Sequence, residues 1–307
     1  MERRAFLGVL AVLGIGGVWV AREAMGRSGA ASGQGVTGGG SALPSPTGRG
    51  QGATGPASFP DAWGVQLYTV RDRMAEDVPG TLRAVADMGY GEVEFAGLFG
   101  HSPREMRALL DDLGLRAASS HHGINEIRGD WEAVLDGAEM LGQSLVVLPS
   151  LPSEARTVEG LQGLAEEMNR AGEAARARGL DFGFHNHDFE VTPLESVDVR
   201  PLDILLAATE EQLVSFQLDL FWAVNGGTDP LEWFRAAPGR FRSVHVKDRT
   251  GSGEMVAVGQ GVLDFQRLLT VGQEVGGVRH AFVEHDRPGD SLASIRASID
   301  HLNSLRG

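Results

Sequence analysis

Histidine and acidic side chains stand at the ends of several short apolar segments of this sequence. The clearest case is the stretch FGFHNHDFEV, in which a strand-like run ends in His185 and His187. Three later segments end in the same way, at Asp219, His245 and Glu284. Imidazole and carboxylate groups are ligands that divalent metal ions such as zinc and manganese take in proteins. These residues are therefore candidates for a metal site, provided that the fold brings the segment ends together.

The elements that carry these residues follow one repeating order. From Trp63 onward, eight apolar strand-like segments alternate with stretches of helical periodicity. The segments are WGVQLYT, GEVEFAG, LRAASSHH, SLVVLPS, LDFGFHNH, LVSFQLDL, FRSVHVKD and RHAFVEHD. Open doubly wound sheets usually have fewer strands, so this alternation predicts an α/β fold of the (β/α)8 TIM barrel type in a single domain. In that fold the active site lies at the C-terminal ends of the strands, which is where the polar residues stand.

The barrel would bring one ligand from each of strands five to eight to a common point. These ligands are His185, Asp219, His245 and Glu284. Two imidazoles and two carboxylates suit a divalent ion, with Mn or Zn favoured by the nitrogen donors and Mg or Co as alternatives. His187 shares a strand face with His185 and is the alternative fourth ligand. The sequence thus predicts a divalent metal ion as cofactor at the mouth of the barrel.

The net negative charge of the chain argues against nucleic acid as a binding partner. The chain has 307 residues, with 27 Lys+Arg against 41 Asp+Glu and a formal net charge of -14. Such a field repels nucleic-acid phosphates, and no basic run offsets it. Cysteine is absent, which excludes disulfides, thiolate metal sites and a cysteine nucleophile. A small-molecule substrate is therefore expected, and nucleic acid is not.

The first 58 residues are predicted to lie outside the folded domain. Residues 1–25 resemble a signal peptide of the twin-arginine type, with the motif RRAFL near the start. Residues 26–58, rich in Gly, Ser and Pro, form a predicted flexible linker, and residues 59–307 form the predicted barrel. The protein is then periplasmic or exported, or tethered to the membrane where the signal stays uncleaved, with no further membrane domain.

The ordered set of motifs resembles a known superfamily. The motifs GVQLYTVRD, VEFAG, HNHDFE, QLDLFW, HVKD, GQGVLDF and VEHD are similar to the sugar phosphate isomerase/epimerase superfamily with the xylose isomerase-like TIM barrel, in an HNHDFE-type branch. In the epimerase and isomerase branches of that superfamily, Glu, Asp, His and Glu from strands five to eight hold the metal. The last three match Asp219, His245 and Glu284. The first Glu commonly stands in an E-N-H triplet, so His185 replaces it here, and Gln260 stands where many relatives have Glu.

The resemblance implies a carbohydrate substrate, and five further residues near strand ends are predicted to contact it. Glu94 and Glu190 are candidates for hydrogen bonds to sugar hydroxyls. One of the neighbouring residues His121 and His122 is expected to contact a hydroxyl, and the other to be structural. Trp222 would offer the apolar face on which a sugar ring stacks, or else belong to the core.

The expected activity is that of a metal-dependent isomerase or epimerase. It would act on a sugar or keto-sugar by abstracting the proton alpha to a carbonyl, which forms an enediolate. Glu284 would be the general base, because this ligand faces the substrate carbon in relatives. Lys247 would neutralise a developing oxyanion or hold the carbonyl oxygen, or it would form a surface salt bridge with Asp248 instead.

Two alternatives to isomerisation stay open. One is a 3-keto-glycoside lyase or dehydratase on the same site, with His187 protonating the leaving group. A metal-bound His185 is a poor second base, and the single base that remains suffices for elimination. The other alternative belongs to a different class, a non-catalytic sugar-binding barrel. A trinuclear zinc endonuclease of the same fold is disfavoured by the acidic charge balance.

Export is predicted to depend on the paired arginines of the N-terminal motif. Replacing Arg3 and Arg4 by lysine should retain the protein in the cytoplasm, because the twin-arginine route reads this pair. Cell fractionation of the R3K/R4K variant beside the wild type measures the outcome. Unchanged delivery to the periplasm would indicate the general secretory route or an uncleaved anchor instead.

Overall fold

The computed structural model of the protein describes residues 59–306, in which eight parallel strands close into a barrel surrounded by helices. The predicted (β/α)8 fold is therefore confirmed. The predicted signal segment (1–25) and linker (26–58) lie outside the described residues. Within the described range, no helix combines the length and the apolar composition that a membrane span requires.

The strands follow the predicted segments closely. In chain order they are β1 (Gly64–Gln66), β2 (Glu92–Phe95), β3 (Arg116–His121), β4 (Leu145–Leu148), β5 (Asp181–His185), β6 (Val214–Asp219), β7 (Phe241–Val246), β8 (Asp248–Arg249), β9 (Met255–Val256) and β10 (His280–Val283). The barrel order is β1-β10-β7-β6-β5-β4-β3-β2, with β1 paired to both β10 and β2. Strands β8 and β9 form a separate antiparallel hairpin after β7.

Helices alternate with the barrel strands. In chain order they are α1 (Arg71–Glu76), α2 (Val78–Asp87), α3 (Pro103–Leu113), α4 (Ile124–Arg128), α5 (Trp131–Leu141), α6 (Val158–Ala177), α7 (Pro201–Ala208), α8 (Leu220–Asn225), α9 (Pro230–Ala236), α10 (Phe265–Val271) and α11 (Ser291–Ser304). Helix α3 begins with a capping box at Ser102. The Ser102 hydroxyl accepts a hydrogen bond from Glu105 N, and the Glu105 carboxylate accepts one from Ser102 N. This capping box satisfies two backbone donors that the helix start would otherwise leave free.

The outward side of the barrel wall is apolar. Alternate side chains of a strand point to opposite faces, and those that face the helices include Val93, Phe182, Phe216, Val244 and Val283, each at most 1% exposed. Full burial of one such side chain stabilises a fold by about 1.5–3 kcal/mol relative to exposure. This layer fixes the strand ends, and therefore the side chains that they carry.

The inward side of the wall holds a polar layer. Gln66 Nε2 and Gln217 Nε2 donate hydrogen bonds to the Glu94 carboxylate at 2.9 and 2.8 Å. Gln217 Nε2 also donates to Ser243 Oγ at 3.0 Å. TIM barrel interiors are dominated by bulky branched apolar side chains, so this polar layer is a particular feature of the chain.

Helix α6 packs very closely on the residue that precedes β6. A Cβ atom added at Gly172 would come within 2.2 Å of the Leu213 carbonyl oxygen, whereas one added at Gly163 of the same helix meets nothing within 4 Å. We expect Gly172→Ala to lower the free energy of unfolding by about 1–3 kcal/mol, because the helix must move away. Gly163→Ala should raise it by roughly 0.5–1 kcal/mol, because alanine loses less backbone entropy in a helix. Urea unfolding of both variants measures this; equal effects would contradict the packing described.

Candidate active site

Three ligand-type side chains converge at the C-terminal ends of β6, β7 and β10. Asp219 ends β6, His245 is the penultimate residue of β7, and Glu284 directly follows β10. All three are buried, and one donor atom of each lies within 4.8 Å of those of the other two. His245 Nδ1 is 2.7 Å from Glu284 Oε2 and 3.8 Å from Asp219 Oδ2. The barrel therefore brings these three sequence-predicted residues to one point.

His185, the last residue of β5, lies beside this point. Its Nε2 atom is 3.8 Å from Asp219 Oδ2. It also forms a second group of closely spaced ligand-type atoms with His121 and His245. The ring of His187 lies 5.0 Å from that of His185, centroid to centroid, and belongs to neither group. Of the two candidates for the fourth ligand, His185 is thus the one placed with the other ligands.

The donor atoms at this point fit a metal ion. Asp219 Oδ2 and His245 Nδ1 are both buried, and their close polar neighbours are charged residues of the same site. Lys247 Nζ lies 3.0 Å from Asp219 Oδ2, and Glu284 Oε2 lies 2.7 Å from His245 Nδ1. The other carboxylate oxygen of Asp219 is held by Trp222 N at 2.9 Å, and Asn186 Oδ1 accepts a hydrogen bond from Asp219 N at 3.0 Å. Buried polar atoms are almost always paired in folded proteins. Here the buried nitrogen and oxygen atoms face only one another and Lys247, and they are of the types that zinc and manganese accept as ligands.

Lys247 brings a positive charge to the same carboxylates. Its Nζ atom is 3.0 Å from Asp219 Oδ2 and 2.8 Å from Glu284 Oε2. It donates a hydrogen bond to Asp286 Oδ1 at 2.8 Å. The alternative of a surface salt bridge with Asp248 is wrong, because Lys247 is only 2% exposed and its partners are these other acids. Lys247 also lines the cavity described below, where it can meet a substrate oxygen.

Burial and neighbouring charges set the protonation states of the ligands. Burial would raise the pKa of Glu284, but Lys247 and His245 outweigh it and hold that pKa well below its usual range. Burial would lower the pKa of His245, but Glu284 and Glu94 raise it to about 10. Burial raises the pKa of Asp219 to about 6, against the opposing effect of Lys247. Before a metal binds, Glu284 is therefore ionised and His245 is protonated near pH 7.

The two histidines of the HNH motif are neutral near pH 7. Burial, reinforced by the charge of Lys247, lowers the pKa of His187 to about 4. Burial and the neighbouring His245 lower the pKa of His185 well below its usual range. Burial would also lower the pKa of Lys247, but the surrounding carboxylates outweigh it and raise that pKa above its usual value. The site thus holds a cationic lysine beside imidazoles that can accept protons or bind an ion.

A cavity of about 900 Å³ opens over these residues. Its polar lining includes His121, His185, His187, Lys247 and Glu284. Its apolar lining includes Tyr68, Phe221, Trp222 and Met255. Two of the predicted substrate contacts, His121 and Trp222, therefore face this cavity. A polar floor with aromatic walls suits a ligand that carries both hydroxyl groups and an apolar ring face.

Glu94 does not line the cavity, which corrects its prediction as a direct substrate contact. It is the penultimate residue of β2, and its side chain points into the barrel interior, at 0% exposure. Its Oε1 atom is 2.5 Å from His245 Nε2, and its carboxylate accepts hydrogen bonds from Gln66 and Gln217. Glu94 thus supports a predicted metal ligand from the inside of the barrel.

Glu190 is also placed away from the cavity lining. Its carboxylate accepts hydrogen bonds from His187 N at 2.8 Å and from Leu151 N at 3.3 Å. It therefore ties the HNH segment to the loop that follows β4, and its prediction as a sugar contact is corrected. Burial raises the pKa of Glu190 to about 7, because the two backbone donors only partly compensate for the loss of water.

His122 is the structural member of the His121–His122 pair. Its Nε2 atom is 2.8 Å from Ser120 Oγ, and its Nδ1 atom is 3.0 Å from Glu126 Oε1. Residues two apart share a strand face, so His122 lies with Ser120 on the side of β3 that faces the helices. The prediction of His122 as a substrate contact is therefore corrected, whereas His121 reaches the cavity.

Sequence reasoning assigned no role to Gln217, although it contacts three site residues. Gln217 Oε1 is 2.9 Å from His121 Nε2 and 3.1 Å from His185 Nδ1. Its amide nitrogen meets the Glu94 carboxylate at 2.8 Å. Its position two residues before Asp219 could have indicated a role, because residues two apart in a strand share a face, here the inward face of β6.

Asp248 organises the loop that carries the GQG motif. Its carboxylate accepts hydrogen bonds from the backbone N–H groups of Gly259, Gly261 and Leu263. A Cβ atom at Gly261 would lie 2.2 Å from a backbone oxygen, so only glycine fits this close approach. Gln260 is exposed in this loop and does not line the cavity. The conspicuous Asp of the HVKD motif is thus structural.

Known proteins resemble this chain in both sequence and fold. A family model described as xylose isomerase-like TIM barrel matches residues 82–305. Inosose dehydratase of Geobacillus kaustophilus strain HTA426 is 25% identical over 205 residues, which are 56% of this chain and 65% of that enzyme. The chain therefore matches slightly less than two thirds of the length of this relative.

Solved structures share the barrel over most of its length. A sugar phosphate isomerase/epimerase from Parabacteroides distasonis ATCC 8503 superimposes with a TM-score of 0.71 and 28% identity, covering 83% of this chain and 96% of that one. The IOLI protein, solved with a zinc atom, superimposes with a TM-score of 0.65 and covers 80% of this chain and 98% of its own. Its identity of 16% supports likeness of fold alone.

Replacing His245 tests the metal centre directly. We expect His245→Gln to lower zinc affinity by at least about 10-fold, which is the lower end of the effect seen when even a supporting residue is lost. The glutamine amide can still donate a hydrogen bond to Glu94, so the barrel should stay folded by circular dichroism. His280→Gln is the matched control, because His280 starts the neighbouring strand β10 and bonds Glu92 instead. Equilibrium dialysis with zinc measures the affinity; an unchanged value in His245→Gln would contradict the ligand assignment.

Proposed function

Because the chain belongs to the xylose isomerase-like TIM barrel family, we propose that it is a metal-dependent enzyme acting on a sugar-derived ketone. The reaction removes the proton alpha to the carbonyl and then eliminates an oxygen substituent at the beta carbon. The observation that carries this proposal is the convergence of Asp219 Oδ2, His245 Nδ1 and Glu284 Oε2 beneath a large polar cavity. The likeness to a dehydratase supports it.

The metal centre would consist of His185, Asp219, His245 and Glu284. A divalent ion held there would act as a Lewis acid on the carbonyl oxygen and a neighbouring hydroxyl of the substrate, which acidifies the alpha C–H bond. Lys247 lies beside the same carboxylates and lines the cavity. Its ammonium group can donate a hydrogen bond to the oxygen on which negative charge develops.

The electrostatics of the site favour His187 over Glu284 as the proton acceptor. Glu284 was expected to be the base, but Lys247 and His245 hold its pKa well below the usual range. His187 is neutral at pH 7, lines the cavity and has a pKa of about 4. A weaker acid has a stronger conjugate base, so His187 takes a proton more readily than Glu284 does. The proposal therefore gives Glu284 the role of ligand and His187 the role of base.

One base is sufficient for elimination. His187 accepts the alpha proton, the C–H electron pair forms the new C=C bond, and the C–O bond at the beta carbon breaks. The imidazolium then returns its proton to the leaving oxygen, which departs as water or as an alcohol. Epimerisation would need a second group on the opposite face, and His185 in the ligand set would have its lone pair committed to the ion. The His185-for-Glu replacement thus supports elimination.

The cavity also informs the substrate class. Its volume of about 900 Å³ exceeds what a single sugar ring fills. Its lining carries charges of both signs, with Arg287 and Lys247 beside Glu254 and Asp286, and Trp222 offers a face for stacking. A cyclic polyol ketone or a 3-keto-glycoside, which has hydroxyl groups and an apolar ring face, fits this lining.

Incubation in deuterated water with zinc or manganese distinguishes the reactions. We expect inososes or 3-keto-glycosides to lose water or an alcohol and to give an unsaturated ketone, followed by mass spectrometry and proton NMR. Interconversion of ketohexose epimers with deuterium at the inverted carbon, and with nothing released, would establish the isomerase activity and refute elimination.

A variant pair tests the role of His187 in the same assay. His187→Gln should lower kcat by about 10²–10⁴-fold, the range for loss of a general acid–base group, with zinc affinity retained. His122→Gln is the matched control, because His122 lies outside the cavity lining. Comparable kcat values in the two variants would refute His187 as the base.

A further inference from the structure

We propose that Gln217 is a positioning residue that fixes the proton of His185 on Nδ1, so that the Nε2 lone pair faces Asp219 and can bind a metal ion. This inference rests on the metal centre of the proposed function, but it concerns protons in the metal-free protein. A neutral imidazole carries its proton on one of two nitrogens, and only the other nitrogen can bind an ion. A hydrogen-bond acceptor beside one ring nitrogen fixes the proton there and leaves the other nitrogen free to bind an ion.

Glu94 determines the orientation of the Gln217 amide group. An amide side chain can be placed in two ways that exchange its oxygen and nitrogen. Gln217 Nε2 is 2.8 Å from Glu94 Oε2, and an ionised carboxylate only accepts hydrogen bonds. The reverse placement would set two oxygens against each other in a barrel interior where Glu94 has no solvent contact. Ser243 Oγ, 3.0 Å from Nε2, accepts the second amide proton.

The amide oxygen then fixes the tautomer of His185. With its nitrogen turned to Glu94, Gln217 presents Oε1 to His185 Nδ1 at 3.1 Å and to His121 Nε2 at 2.9 Å. A carbonyl oxygen cannot donate, so both of these ring nitrogens must carry protons. The His185 ring is 2% exposed, and its Nε2 atom lies 3.8 Å from Asp219 Oδ2, which is beyond hydrogen-bond distance. A buried ring with an acceptor only at Nδ1 carries its single proton there, which leaves Nε2 unprotonated.

Without Gln217, the opposite tautomer would be favoured. Asp219 Oδ2 is buried and lies 3.8 Å from His185 Nε2, so its negative charge favours a proton on that nitrogen even though Lys247 Nζ also contacts it at 3.0 Å. A proton there would block the nitrogen that faces the ligand cluster. The acceptor that Gln217 offers at Nδ1 competes with this attraction and prevents it.

His245 is fixed by the same carboxylate. Glu94 Oε1 is 2.5 Å from His245 Nε2, so this nitrogen donates its proton to Glu94. The other nitrogen, Nδ1, faces Asp219 and Glu284. Glu94 therefore orients one ligand directly and the second through Gln217. In the metal-free protein His245 Nδ1 carries a proton toward Glu284, and a metal ion would take the place of that proton.

The substitution Gln217→Met removes the acceptor and keeps a side chain of similar length. In ¹⁵N NMR of metal-free protein with labelled histidine, wild-type His185 should carry its proton on Nδ1. In the variant the proton should move to Nε2. Zinc affinity, measured by competition with a chromophoric chelator, should fall by about 10- to 100-fold, as for other residues that orient a metal ligand.

Gln66→Met is the matched control. Gln66 is equally buried and donates to the same Glu94 carboxylate, but its Oε1 accepts from Tyr68 N rather than from a histidine. We expect it to leave the His185 tautomer unchanged and to retain near wild-type zinc affinity. Equal losses of affinity in the two variants would overturn the proposal.

The wild-type spectrum tests the proposal even where Gln217→Met does not fold. A proton found on His185 Nε2 of the wild type overturns it. If the wild type shows the expected tautomer but binds no zinc, the tautomer assignment is supported, and the metal-dependent function fails separately.

Discussion

The carboxylate of Glu94 has no solvent contact at the centre of the barrel, and its requirement for hydrogen-bond donors organises the residues above it. An unpaired buried charge costs several kcal/mol or more, so such a group is retained only where donors surround it. Here the donors are Gln66, Gln217 and His245. Each comes from a different strand, and two of them support residues at the barrel mouth. Hydrogen bonds between side chains of the barrel interior thus hold the ligand atoms in positions that the strands determine.

The net charge of the four ligands matches that of a divalent metal ion. His185 replaces a Glu of the related pattern, so the set of His185, Asp219, His245 and Glu284 carries two negative charges when both imidazoles are neutral. A divalent ion would neutralise these charges on its own. Lys247 would then keep Asp286 as its partner, at 2.8 Å, and its charge would be available to a substrate oxygen. A second cation in the site is therefore compatible with a metal ion.

The sequence predicted the barrel well because each of its strands is short, apolar and followed by a helix with a marked apolar face. It also predicted the convergence of Asp219, His245 and Glu284, since the C-terminal ends of barrel strands must meet. It did not distinguish the two faces of a strand end. His121 points to the cavity, whereas His122 points to the helices with Ser120.

The sequence also does not show how deep in the barrel a side chain lies. Glu94 is enclosed in the barrel interior by Gln217 and His245, and Gln217 is important because of its partners on other strands. Glu190 was predicted to bind sugar hydroxyls, but its carboxylate accepts hydrogen bonds from backbone groups of two loops. Register and side-chain direction between distant strands decide these roles, and neither is visible in one sequence without an alignment.

The central claim is that four atoms, from His185, Asp219, His245 and Glu284, converge on one divalent ion. An anomalous difference map from crystals loaded with zinc tests it most directly. The account predicts one strong peak within coordination distance of His185 Nε2, Asp219 Oδ2, His245 Nδ1 and Glu284 Oε2, at the roughly 2.0–2.2 Å expected for nitrogen and oxygen ligands of zinc. No peak among these atoms, or three peaks in the cavity as in a trinuclear site, would contradict it.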